Sequence, residues 1–131
     1  MMDFPARKIP APAITPETKA FWAAAEQGRL MLRWCAGCGR THWYPRAVCP
    51  FCTGVDMEWR KASGEGTIYS YTVMRRAPEP FAPAFVTLSE GPTLLTNLCD
   101  CDFDALRIGQ RVRLVFKPTE GGPPVPMFNP A

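Results

Sequence analysis

The chain has 131 residues, 47% hydrophobic and 21% charged, an ordinary globular composition that argues against wholesale disorder. Mean hydropathy is −0.12, no apolar run approaches the roughly 20 residues that cross a bilayer, and the opening MMDFPARKIPAPAITP lacks the basic-then-apolar order of a secretory signal. A membrane or exported protein is disfavoured and a cytoplasmic one expected. The net charge of +3 is compatible with a phosphate-bearing partner but too small to identify one.

The 15 prolines and 10 glycines exclude long continuous helices, because proline removes a helix donor and clashes with the preceding turn. Short strands joined by turns tolerate that density. Pro5, Pro10 and Pro12 make the first 15 residues an extended arm. Thr15-Pro16-Glu17 then reads as an N-cap, a proline at the first helical position and an acid in the first turn. Helix formers follow, including the adjacent Phe21 and Trp22, until Gly28 stops the helix. Leu30, Leu32 and Trp34 alternate with Arg29, Met31 and Arg33, the pattern of a half-buried strand.

That strand feeds C-A-G-C at Cys35 and Cys38, and C-P-F-C at Cys49 and Cys52 completes a C-x2-C-x10-C-x2-C array. Small residues Ala36, Gly37 and Gly39 allow a tight turn in the first knuckle and Pro50 bends the second. Four thiolates so placed make the closed tetrahedral site of structural zinc; iron in a rubredoxin-like centre is the narrower rival, and free or disulfide-bonded cysteines are the bland alternative. His42, the one histidine, lies between the knuckles and is read as a hairpin residue. Residues 41–45 form the second ribbon strand.

Residues 57–61 are read as the start of a new sheet, followed by strands over 67–75, 84–89, 93–99 and 111–117, five in all. A proline-rich loop spans 77–83, and 103–108 suits a short helical turn. Cys99 and Cys101 are read as strand-end thiols, Glu65 and Glu90 as turn residues, and 121–131 as an extended tail. Five strands suit a small Greek-key barrel of the oligonucleotide/oligosaccharide-binding (OB) type.

The helix, L-R-W-C-A-G-C-G-R, Y-P-R-A-V-C-P-F-C, S-G-E-G-T-I-Y-S-Y-T-V, G-P-T-L-L-T-N-L and L-R-I-G-Q-R-V-R-L-V-F occur here in one order. That series resembles the zinc-ribbon plus OB-fold proteins of domain-of-unknown-function family thirty-five, from about Phe21 to Phe128. The resemblance implies a mostly β chain divided into an arm and helix (1–28), a rubredoxin-like ribbon (29–56), an OB barrel (57–120) and a tail (121–131). It implies structural zinc on Cys35, Cys38, Cys49 and Cys52. It also implies a non-catalytic accessory subunit of an acyl-CoA-transforming enzyme, thiolase-like, aldolase or hydratase.

If acyl-CoA touches this chain, Phe81 and Phe85 beside Arg75 and Arg76 are the contributors to test; the plainer reading is that the phenylalanines pack and the arginines solvate a strand end. The alternative function is single-stranded nucleic-acid binding on Trp59, Tyr69 and Tyr71. As an autonomous enzyme the chain offers no spacing that unites its carboxylates and tyrosines into a mechanism.

Overall fold

The computed structural model describes residues 8–131; the first seven residues of the expected arm lie outside them. One helix, α1 (Lys19–Ala25), precedes strands β1 (Met31–Cys35), β2 (Thr41–His42), β3 (Met57–Lys61), β4 (Glu65–Tyr71), β5 (Ala82–Leu88), β6 (Thr93–Leu98), β7 (Arg111–Lys117) and β8 (Val125–Pro130). A 3-10 turn covers Phe103–Ala105, within the expected helical turn. No helix among the described residues is long and apolar enough to cross a membrane.

The helix starts later than Thr15-Pro16-Glu17 predicts. Thr15 and Thr18 close a turn on each other, with Thr18 N–H donating to the Thr15 carbonyl and Thr15 N–H to the Thr18 hydroxyl, both at 3.0 Å. Glu17 therefore does not serve the first turn of α1; its carboxylate accepts the Ala47 N–H at 3.0 Å and ties the helix entry to the ribbon. Gly28 ends the helix at φ +76°, a conformation that costs a residue without Cβ little.

Two sheets follow. The ribbon sheet has the order β2-β1-β3, all antiparallel, and the barrel closes as β4-β5-β6-β8-β7, with β7 returning to β4. Numbered within the barrel, that order is 1-2-3-5-4, the OB connectivity. The strand inventory differs from expectation at both ends. Met57–Lys61 does not open the barrel but pairs along the whole of β1, from Met31 opposite Lys61 to Cys35 opposite Met57. The fifth barrel strand is β8, inside the segment read as a free tail, with Leu114 opposite Phe128 and Val115 opposite Met127. The long strand also stops at Tyr71 rather than Arg75, and carries a bulge at Tyr69. Glu65 begins β4 instead of lying in the turn, whereas Glu90 does sit in a turn and accepts the Ser63 N–H at 2.8 Å.

Phe21, Trp22, Leu30, Leu32, Ile68, Val86, Leu94, Leu98, Val112 and Phe128 share one buried cluster, so helix, ribbon base and barrel pack as a unit. Part of the arm is bound too: the Glu120 N–H donates to the Ile9 carbonyl at 2.9 Å, beside a parallel bridge between Pro10 and Glu120.

Candidate metal centre and neighbouring clefts

The knuckles are two copies of one backbone device. In the first, Gly39 N–H donates to the Cys35 carbonyl at 2.7 Å; in the second, Thr53 N–H donates to the Cys49 carbonyl at 2.9 Å. The residue closing each turn is left-handed, Gly39 at φ +72° and Thr53 at φ +61°. Each turn points its two thiols at the other knuckle. Cys35 Sγ lies 3.5 Å from Cys52 Sγ, Cys38 Sγ lies 3.7 Å from Cys49 Sγ, and all four sulfurs fall within 4.8 Å of one another.

These spacings separate the alternatives. A disulfide needs about 2.0 Å between sulfurs, and all six cysteines are free thiols. A cation held tetrahedrally by sulfurs at about 2.3 Å sets them about 3.8 Å apart, and the observed pairs fit that. The four cysteines could hold one metal ion, in a site closed by their own sulfurs.

Its thiols are not alike. Burial opposes ionisation at Cys49, but N–H groups of Cys52 and Phe51 and the thiols of Cys38 and Cys35 outweigh it and bring the group down to about 7. Burial pushes Cys38 up to about 12, aided by the thiols of Cys49, Cys35 and Cys52 and opposed by the Arg40 N–H. One thiolate forms readily and its neighbour resists, as expected of a cluster that needs a cation to hold several negative charges. The Arg40 guanidinium, 4.7 Å from the centre of the Phe51 ring, bridges the knuckles from outside.

Cys99 and Cys101 behave differently. Both are buried, and burial together with the Asp100 charge pushes them up to about 12 and about 11. Protonated and enclosed, they pack as small apolar groups. Asp100 between them pairs with Lys117 Nζ at 2.5 Å. His42 is a member of β2 and not of the sulfur cluster.

The structure does not assemble Arg75, Arg76, Phe81 and Phe85 into one site. The Arg75 guanidinium is paired with Asp104 at 2.6 Å, Arg76 stands in solvent, and Phe81 packs against the core beside its bridge partner Met74. Phe85 lines a shallow 260 Å3 depression shared with Tyr71, Pro83 and Leu95. A more apolar groove of 360 Å3, missed in the sequence, runs between the modules under Trp22, Trp43, Tyr44, Leu95, Val125 and Met127. Its only sequence signal is the clustering of aromatics near residues 21–22 and 43–44.

The nucleic-acid platform is also dispersed. Arg33 covers Trp59 at 4.2 Å and the Tyr71 hydroxyl donates to the Leu106 carbonyl at 2.8 Å, leaving Tyr69 as the exposed aromatic of the three.

Comparison with known proteins agrees with this architecture. Residues 22–58 match the family model described as "ChsH2, rubredoxin-like zinc ribbon domain", and residues 59–117 match "ChsH2, C-terminal OB-fold domain". A "DUF35 domain-containing scaffold protein" of Methanothermobacter thermautotrophicus is 34% identical over 90 residues, covering 63% of this chain and 68% of the relative. The chain belongs to the DUF35 family.

Another DUF35 scaffold protein, from Methanocaldococcus jannaschii, is 32% identical over 90 residues, 63% of this chain and 64% of the relative. A Thermomonospora curvata protein named "Probable enoyl-CoA hydratase alpha subunit" is 35% identical over 127 residues, 93% of this chain; the chain spans only 40% of that relative. Among solved structures, a chain of an "Ltp2-ChsH2(DUF35) aldolase" superposes with TM-score 0.82 at 34% identity, covering 91% of this chain and 98% of that one. A DUF35 protein from Sulfolobus solfataricus, at 18% identity and TM-score 0.65 over 88% of this chain and 86% of that one, shares the fold.

Proposed function

We propose that this DUF35 protein is a cytoplasmic, zinc-binding accessory subunit without independent catalysis, seated on an acyl-CoA-transforming enzyme of thiolase-like, aldolase or hydratase type. Cys35, Cys38, Cys49 and Cys52 hold the zinc, and the metal fixes the ribbon instead of meeting substrate. The family's zinc-ribbon description supports zinc over iron, and six free thiols suit a reducing compartment.

The observation that carries the docking role is an apolar strip across the outside of the barrel. Tyr69, Phe85 and Leu95 are 67%, 45% and 63% exposed, and Phe85 lies directly opposite Leu95 on adjacent strands. Outward positions of a solitary barrel favour polar residues, so this strip suits a protein partner. The aldolase in the name of one structural relative and the hydratase in that of a sequence relative support the class of partner. The groove beneath Trp22 and Trp43 is a better receptacle for an acyl chain than Arg75, Arg76, Phe81 and Phe85, of which Arg75 is paired with Asp104 and Phe81 packs against the core. Single-stranded nucleic acid is disfavoured because two of its three aromatic platforms are engaged within the chain.

The test is co-purification from the native source, with companions identified by mass. A thiolase-like, aldolase or hydratase companion that is lost from Leu95→Ser supports the reading. A companion of unrelated class, or turnover of acyl-CoA by the isolated chain, contradicts it.

A further inference from the structure

Arg33 and His42 stand directly opposite each other on β1 and β2, so their side chains leave the ribbon sheet on one face. His42 is 3% exposed, and neither ring nitrogen meets a hydrogen-bond partner among the described residues. The Arg33 Nε is buried without a partner as well. Arg46, just beyond β2, lines a 300 Å3 cleft with His42, Thr41, Trp43, Phe51 and Thr93, between the ribbon and the turn that opens β6.

Neither arginine has a counter-charge among the described residues. The ion pairs among the described residues join Arg60 to Glu58, Arg75 to Asp104 and Lys117 to Asp100. Arg60 makes the contrast: it stacks on Trp34 at 3.8 Å on the other face of the same strands and also has Glu58 at 2.7 Å. Arg33 stacks on Trp59 in the same way and has no such carboxylate. Burial, then the charges of Arg46 and Arg33, lower the His42 pKa, so the ring stays neutral and offers one N–H and one acceptor nitrogen.

A buried donor left unmet is destabilising, and the charges of Arg33 and Arg46 acting on His42 make its surroundings positive. The group that answers both needs is an anion with several acceptor oxygens. Phosphoryl oxygens suit guanidinium forks; Arg46 lines the cleft itself and Arg33 stands beside it, opposite His42. The cleft exceeds a bare ion and reaches the lower end of small-molecule sites, about 300 Å3. Its Trp43 and Phe51 walls suit the organic remainder of an ester.

We propose that Arg33, His42 and Arg46 form a binding site for the phosphoryl group of a small phosphate ester. The site stands apart from the accessory-subunit reading, since it is tested on the isolated chain.

With a single histidine, the His42 ring resonances are unambiguous by NMR. The zinc-loaded full chain is titrated at constant ionic strength with inorganic phosphate, methyl phosphate and acetate. Methyl phosphate should shift the His42 ring saturably, at least as tightly as inorganic phosphate. Arg46→Gln, at an exposed position whose removal leaves the amide spectrum intact, should weaken binding roughly tenfold, the equivalent of one charge-assisted hydrogen bond. Arg33→Lys, which keeps the charge and loses the fork, should weaken it too. The proposal is overturned by the absence of a saturable shift at millimolar phosphate or by undiminished binding in Arg46→Gln. Rejection of methyl phosphate while inorganic phosphate binds overturns the ester. An equal response to acetate overturns the phosphoryl preference and points to a partner's carboxylate.

Discussion

Between residues 36 and 56 the ribbon buries only His42, Pro45 and Cys49, whereas the barrel strands bury Ile68, Val86, Leu94, Leu98, Val112 and Phe128 in succession. The barrel closes, by a single residue pair at the β6–β8 seam, and holds its shape by burying one face of each strand. The ribbon tip has a two-residue strand and little apolar surface to remove from water. Its order must come from a different source, and the sulfur cluster is the one the geometry provides. One chain thus joins a tip gathered around four sulfurs to a hydrophobically organised barrel through the shared base of Leu30, Leu32 and Phe21.

The comparison breaks most sharply on removing the metal. Structural zinc contributes about 10–16 kcal/mol in small ribbons at neutral pH. Chelation, or Cys49→Ser, should abolish amide protection over residues 36–56 while the barrel amides stay protected in hydrogen exchange. Global unfolding would mean that the two regions are not separable. Acid should act in the same direction. The Cys49 thiol at about 7 lies below the usual 9.0, so the free thiolate's contribution is present above the ordinary value and lost as pH falls through 7. Because metal binding displaces thiol protons, lowering the pH should release metal and melt the tip before the barrel, measurable by metal release alongside far-UV circular dichroism.

Phe128→Ala reverses the target. Phe128 is fully buried, opposite both Leu98 and Leu114, and its truncation should cost about 3–5 kcal/mol in urea unfolding with metal content unchanged at low denaturant. A cost near zero would mean that β8 is not a structural strand of the barrel.

The smallest effect lies within the ribbon. Thr53 occupies at φ +61° the place that Gly39 fills in the other knuckle, and a β-branched residue there is strained by roughly 1–2 kcal/mol. Thr53→Gly should therefore stabilise the metal-bound tip by about 1 kcal/mol after its own entropic cost, read from its resistance to a competing chelator.

The cysteine spacing was legible because a metal site is local: two short turns carry all four sulfurs. Strand membership was not, because it depends on distant pairing. M-E-W-R-K looks like a strand in either sheet, and only its register against β1 assigns it to the ribbon. V-P-M-F-N-P reads as tail because prolines lack the ladder N–H. It is tolerated because β6 meets β8 at a single residue pair, Leu98 with Phe128, while the Thr96 hydroxyl donates to the Pro126 carbonyl at 2.9 Å. Arg33, His42 and Arg46 escaped for the same reason: alternation makes Arg33 a solvent-facing residue, and nothing local sets it opposite a buried histidine.

X-ray absorption at the zinc edge of the purified chain tests the metal-organised ribbon most directly. The account predicts one zinc per chain surrounded by four sulfurs at about 2.3 Å. A folded ribbon without metal, or a zinc shell containing nitrogen or oxygen, would contradict it.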